Sequence, residues 1–250
     1  MNDKKNNILA IASGKGGVGK TWLSVTLAHL FARAGRHVLL FDGDIGLANV
    51  DVQLGLTPQR DLNSALSGRH SLEEAITRYE EGGFDIIAGR SGSTSLASLP
   101  MEKLHAIATQ LADIQKNYDH VLIDLGAGIE QNVQYLAALA SRCLVVVTDE
   151  PTSLTDAYAF IKIAQMGKNS PEIGVVINQA ATQKEGEGTY SAINKACMNF
   201  LNMSPALMGI IRRDNKVKDS IRSQKSLLIK APHSTAATDA AALSIKLMQR

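Results

Sequence analysis

Residues 8–21 read ILAIASGKGGVGKT: a short apolar run rich in β-branched residues, then four glycines and two lysines, then Thr21. The run is of strand length and too short for a buried helix. The segment after Lys20 changes period, with Leu23, Leu27, Leu30 and Phe31 on one helical stripe and Gly35 placed to stop it. Strand, glycine loop and helix in that order are the setting in which G-x-x-x-x-G-K-[ST] binds phosphate. Gly14, Gly16, Gly17 and Gly19 let the backbone curl close to phosphate oxygens. Lys20 then reaches the β- and γ-phosphates, and the Thr21 hydroxyl ligates magnesium. Gly14 to Trp22, Val18 and Trp22 included, is therefore the candidate nucleotide-contacting stretch. Only Lys20 is required by the motif; Lys15 is a second lysine that an ordinary phosphate loop does not need.

Working outward, further apolar runs stand at 37–41, 84–88, 120–124, 143–148, 173–178 and 207–211. They lack polar alternation, as strands buried on both faces of a parallel sheet do. Helix-period segments at 20–34, 101–116, 153–166 and 190–201 separate most of them, and Ser71 with Glu74 makes a capping box. The expectation is an α/β doubly wound, mostly parallel sheet flanked by helices. The 250 residues, 45% hydrophobic and 20% charged, suit one sizeable core. We read a single domain over 1–250 with a flexible start at 1–7, no signal-peptide apolar region, and a cytoplasmic location. Cys143 and Cys197 are too few and too far apart for a disulfide framework or metal cluster, and read as buried small apolar residues.

Three aspartates stand where buried strands end: Asp42 and Asp44 after HVLLF, and Asp124 after HVLI. A carboxylate there costs desolvation unless a cation or hydrogen bonds compensate. Each alone reads equally well as a helix N-cap. Three beside a phosphate loop point to magnesium and water chemistry, and DLGAG (124–128) suits a loop that senses a γ-phosphate.

The stretch KGGVGKT with its extra lysine resembles the deviant phosphate loop of the MinD/ParA family of ATPases. FDGDIGLANVDVQLGL (41–56) and DEPTSLTDAYAFIK (149–162) resemble the MinD-type flagellar number regulators FlhG and FleN. The resemblance runs from about Ile8 to about Leu247. It implies an ATP/ADP-binding, Mg2+-dependent ATPase that forms a homodimer with ATP and passes its state to a protein partner. It assigns Lys15 to the partner subunit's nucleotide, Asp42 to a magnesium-bound water and Asp124 to the second shell of that ion. Asp44 would position the attacking water, so Lys15, Lys20 and Asp44 are the catalytic candidates and Thr21, Asp42 and Asp124 the metal candidates. Asn178 would hydrogen-bond adenine. The base-holding loop reads Arg212, Arg213, Asp214 where the family usually has proline, one residue, aspartate, so arginine would stack on the base instead.

Membrane-patrolling relatives end in an amphipathic anchor rich in bulky apolar and basic residues. Here TAATDAAALSIKLMQR (235–250) puts Ala236, Ala240, Leu243 and Leu247 on one face and reads as a helix docked on the domain. MNDKKNN contains nothing like the glutamine-and-arginine-bearing helix with which flagellar relatives stimulate a GTPase. Residues 212–230 hold seven basic and two acidic side chains, either a solvated surface or a DNA-binding patch. The expected function is an ATP-dependent switch, with slow hydrolysis, that governs placement or number of a polar assembly such as flagella. A partitioning ATPase on nucleoid DNA and a metabolic phosphotransfer enzyme are the alternatives.

Overall fold

The computed structural model describes residues 6–44, 49–89, 99–167 and 169–249. Ile45, Gly46, Leu47 and Ala48, part of one stretch that carries the resemblance, and Arg250 lie outside these. The apolar runs become strands β1 (Ile8–Ser13), β2 (Val38–Gly43), β4 (Phe84–Ile87), β5 (His120–Ala127), β6 (Arg142–Val147), β7 (Glu172–Ala180) and β8 (Ala206–Arg212). An eighth, β3 (Ile76–Tyr79), had no uninterrupted apolar run to announce it. The sheet order is β3-β4-β2-β5-β1-β6-β7-β8, and within it only β3 with β4 is antiparallel.

Successive residues of β1 face opposite layers, as strand pleat requires. Ile8, Ala10 and Ala12 belong to one core with helices α4 (Met101–Ile114), α5 (Gln131–Ala137), α6 (Pro151–Gln165) and α7 (Gln183–Leu201). Leu9 and Ile11 belong to the other, with α1 (Lys20–Arg33), α2 (Val50–Leu54), α9 (Leu227–Lys230) and α10 (Thr235–Met248). Two further short helices among the described residues are α3 (Leu62–Leu66), opened by a capping box from Asp61 and Ser64, and α8 (Asn215–Arg222).

Helix ends follow local chemistry. Gly35, with φ +78°, receives the chain past α1, and its N–H donates to Ala32 O at 2.9 Å. The Ser71–Glu74 box forms, with Ser71 N donating to Glu74 Oε2 at 2.8 Å, but it opens a single 3-10 turn rather than a longer helix. α10 buries Ala236, Ala240, Leu243 and Leu247, so this segment docks on the domain as its small-residue face foretells. Of the start expected to be flexible, residues 1–5 lie outside the described residues; Asn6 Nδ2 donates to Leu139 O and Asn7 Nδ2 to Tyr118 O. Both cysteines are buried thiols. Among the described residues no helix is long and apolar enough to cross a membrane.

Candidate active site

β1 lies between β5 and β6, and the strands of later order run outward from it on one side, so the loop after β1 opens at the sheet's reversal point. There a cavity of about 570 Å³ is lined by Ser13, the loop from Lys15 to Trp22, Asp44, Asn49, Gln53, Gly126, Ala127, Glu130, Asn132, Val133 and Ile221. Helix α1 begins at Lys20 with Gly19 in the left-handed region (φ +88°), with no side-chain cap and no acidic residue in its first turn. Its leading N–H groups and its positive dipole end are thereby left for an anion. Gly19 is fixed by its surroundings as well as by its conformation, and Gly14 by its surroundings. A Cβ on Gly19 would strike Asn178 Nδ2, and one on Gly14 would overlap the backbone of Asp156 in α6.

The loop is braced from outside the motif. Ser13 Oγ donates to Lys15 O at 2.8 Å, Asn178 Nδ2 to Val18 O at 2.7 Å, and Gln179 Nε2 to Gly17 O at 3.4 Å. Asn178 is buried, so this bond holds the loop in place at the end of β7. It does not line the cavity.

Asp42 and Asp124 stand side by side in the parallel register of β2 and β5, both fully buried. Burial first, and then the charge on Asp124, pushes Asp42 up to about 8, against the pull of N–H bonds from Val50 and Asp44. Asp124 is also raised by burial, while the Lys20 ammonium and the hydroxyls of Thr21 and Ser24 oppose the shift. Lys20 Nζ stands 3.8 Å from Asp124 Oδ1, and Ser24 Oγ donates to the same oxygen at 2.9 Å. Asp124 Oδ2 is buried and accepts no hydrogen bond. Two adjacent carboxylates with one unsatisfied oxygen are what a hard divalent cation relieves. Among the described residues no cluster of three or more His, Cys, Asp or Glu forms a metal site unaided. Thr21, phosphate oxygens and water would complete the coordination, as magnesium prefers. Asp44 lines the cavity opposite the loop, its carboxylate 3.6 Å from where a Cβ on Gly126 would stand.

Lys15 takes a different path from Lys20. Its ammonium pairs with Glu150 and donates to Thr152 Oγ1 at 2.9 Å, at the N-terminus of α6, where its side chain is 36% exposed. Sequence reasoning missed Ser24, Glu150 and Thr152. The last two lie in the quoted stretch 149–162, but nothing in their spacing announces a partnership with Lys15 across 135 residues.

The expected base-holding residues are placed elsewhere. The Arg212 guanidinium is held in bidentate fashion by Asp239 of α10, at 2.9 and 2.7 Å. Asp214 caps α8, accepting from Lys216 N, and also accepts from Ala236 N. Arg213 is exposed. Neither these three nor Asn178 line the cavity, whose apolar lining is Val18, Trp22, Ala127, Val133 and Ile221.

Comparison with known proteins agrees with this geometry. Residues 9–227 match the family model described as CobQ/CobB/MinD/ParA nucleotide binding domain. The chain belongs to that family and is a phosphate-loop ATPase within it. It is 37% identical to the antiactivator FleN of Pseudomonas aeruginosa over 229 residues, covering 92% of this chain and 81% of that one. It is 34% identical to the flagellum site-determining protein YlxH of Helicobacter pylori, covering 92% and 79%. In three dimensions it resembles MinD in the MinC:MinD cell division complex of Aquifex aeolicus, with a TM-score of 0.79 at 26% identity over 98% of this chain and 96% of that one. A MinD from Pyrococcus horikoshii complexed with Mg-ADP shares the fold, with a TM-score of 0.78 at 22% identity over 97% and 96%.

Proposed function

We propose that this chain is an ATP-dependent dimerisation switch with slow hydrolysis, acting on the number or placement of a polar assembly such as flagella. The observation that carries the reading is the division of labour between two lysines of one loop. Lys20 turns inward to Asp124 and the phosphate cradle, whereas Lys15 is held at the rim by Glu150 and Thr152. Within one chain Lys15 neutralises the carboxylate of Glu150, the residue that precedes α6. When two ATP-loaded chains meet, γ-phosphate charge at the rim outcompetes that exposed carboxylate, and Lys15 swings to the partner's nucleotide. Bound Mg2+ supplies charge neutralisation of the β- and γ-phosphates. The chain's own groups do the rest: Lys20 and the α1 N–H donors hold the phosphates, Thr21, Asp42 and Asp124 hold the metal and its water, and Asp44 orients a water for in-line attack. The water oxygen bonds to the γ-phosphorus as the bridge to ADP breaks, releasing phosphate and a proton. Names of relatives such as antiactivator FleN and flagellum site-determining YlxH support a flagellar role, and a partner protein would bring the switch to the pole.

Light scattering tests the reading: Asp44→Ala, which keeps the cradle and loses water orientation, should double in mass with Mg-ATP and remain a monomer with ADP. A variant that stays monomeric while binding ATP would contradict it. A second reading, weak DNA binding, rests on α8, which turns Lys216, Lys218 and Arg222 to solvent beside exposed Arg213 and Lys225. It is reduced by the capture of Arg212 by Asp239. Retention on duplex DNA that falls steeply between low and moderate salt would favour it.

A further inference from the structure

Among the described residues two acids line the nucleotide cavity, Asp44 and Glu130. Glu130 follows β5 and immediately precedes α5, the position from which a side chain can cap a helix, yet it makes no capping bond. Its side chain is turned back over the loop 126–128, where a Cβ on Gly128 would clash with the Glu130 carboxylate. Gly128 has φ +109°, and its N–H donates to Ser13 O at 3.0 Å. That bond ties the loop, and the carboxylate lying on it, to the end of β1 where the phosphate loop begins. Asp44 approaches the same loop at Gly126, so one short loop carries a carboxylate at each end. Glu130 is exposed, and among the described residues no lysine or arginine pairs with it.

The cradle decides which phosphate meets this wall. Lys20 and the α1 N–H groups sit at the root of the phosphate loop, and Lys20 Nζ is 3.8 Å from Asp124, from which the chain runs directly into Gly126 and Ala127. A phosphate chain held there by its inner members turns its terminal phosphate toward 126–130. We propose that Glu130 is a specificity-determining residue: its carboxylate opposes the γ-phosphate, so that a single chain favours ATP over ADP less than the cradle alone would. A site ranks its ligands by a like charge set against one of them as well as by added contacts. The inference rests on the nucleotide reading of this cavity and adds how that site ranks its two ligands. On the dimer reading, the ammonium of the partner's Lys15 reaches the same end of the phosphate chain and relieves the repulsion. ATP binding and pairing are thereby coupled more strongly than Lys15 alone would couple them.

The test measures affinity on the full chain by calorimetry, with Mg-ADP and with the magnesium complex of the non-hydrolysable β,γ-imido analogue of ATP. Protein is kept at a concentration where light scattering shows a monomer throughout. Glu130→Gln keeps the size of the side chain and removes its charge. It should bind the triphosphate about fivefold more tightly than wild type, the fold-change for two unit charges about 4 Å apart in water, and Mg-ADP within about twofold of wild type. Glu130→Ala, which also lacks the charge, should move the same ratio in the same direction. Raising the ionic strength from about 0.1 M to about 1 M should shrink the difference between variant and wild type, because exposed charges are screened. An unchanged ratio of triphosphate to diphosphate affinity in both variants would overturn the proposal. A parallel change for both nucleotides, or a gain that salt does not reduce, would assign Glu130 to loop packing and overturn it as well. Loss of hydrolysis at saturating ATP with both affinities unchanged would place Glu130 with the attacking water instead. Wild-type protein that binds neither nucleotide would remove the nucleotide reading itself, and this inference with it.

Discussion

The phosphate loop and the residues expected to hold the base are built on different principles. The loop offers backbone N–H donors, a helix terminus and one lysine, and their placement follows from the spacing of four glycines between a strand and a helix. The residues whose types suit a purine are bonded to the protein itself. Asn178 braces the loop, Arg212 fastens β8 to α10, and Asp214 caps α8. Backbone geometry is local and travels with the motif. A side chain's partner is decided by whichever element the tertiary fold brings within about 3 Å, as Asp239 is brought to Arg212.

The contrast is broken most severely at Lys20. Lys20→Ala removes the phosphate cation and also leaves Asp124 buried beside Asp42 without its nearest positive charge. Affinity for Mg-ATP should fall about 10- to 150-fold, the range for charge-assisted bonds, and the stabilisation by ATP should shrink from about 2.7 kcal/mol, at a hundredfold excess over the wild-type Kd, to about 0.3–1.4 kcal/mol. A melting shift as large as that of wild type would place the phosphates elsewhere.

Asn178→Ala sharpens the comparison. If this side chain braces the loop, its loss leaves Val18 O unsatisfied, and affinity for pyrophosphate and for ADP should fall together, about fivefold, with a melting temperature lower by roughly 3 °C. A fall for ADP with none for pyrophosphate would return Asn178 to the base.

The smallest effect is expected at Arg212. Arg212→Ala should lower the melting temperature by roughly 2 °C or less, as befits a partly exposed ion pair. Affinity for ATP and preference over GTP should stay within about twofold of wild type, measured by calorimetry with each nucleotide. A selective loss of ATP binding would mean that Arg212 leaves Asp239 to stack on the base.

What was legible in the sequence divides along the same line. The buried strands declared themselves through uninterrupted apolar runs, and the loop, Asp42, Asp44 and Asp124 through their positions after such runs. β3 did not, because Ile76–Tyr79 is an edge strand of four residues with only Tyr79 buried. α7 starts at Gln183, seven residues ahead of its expected start, because KEGEG reads as a breaker. In the fold Gly186 is helical where α7 crosses β8, its missing Cβ making room for Ile210, and Thr182 caps the start. Lys15 was visible as a surplus lysine, yet its pairing with Glu150 and Thr152 depends on α6 lying against the loop. That approach is close enough that Gly14 has no room for a side chain.

The central claim is that Lys15 has two homes, Glu150 of its own chain and the nucleotide of a second chain, and that moving between them is the switch. The direct measurement is light scattering on the hydrolysis-deficient Asp44→Ala background, with and without Lys15→Ala, at saturating Mg-ATP, with ATP occupancy of both confirmed by melting shift. The account predicts a doubling of mass for Asp44→Ala and a monomer for the double variant, although both bind ATP through Lys20, Thr21 and the α1 N–H groups. A double variant that dimerises on ATP as fully as Asp44→Ala would show that Lys15 does not bridge the subunits.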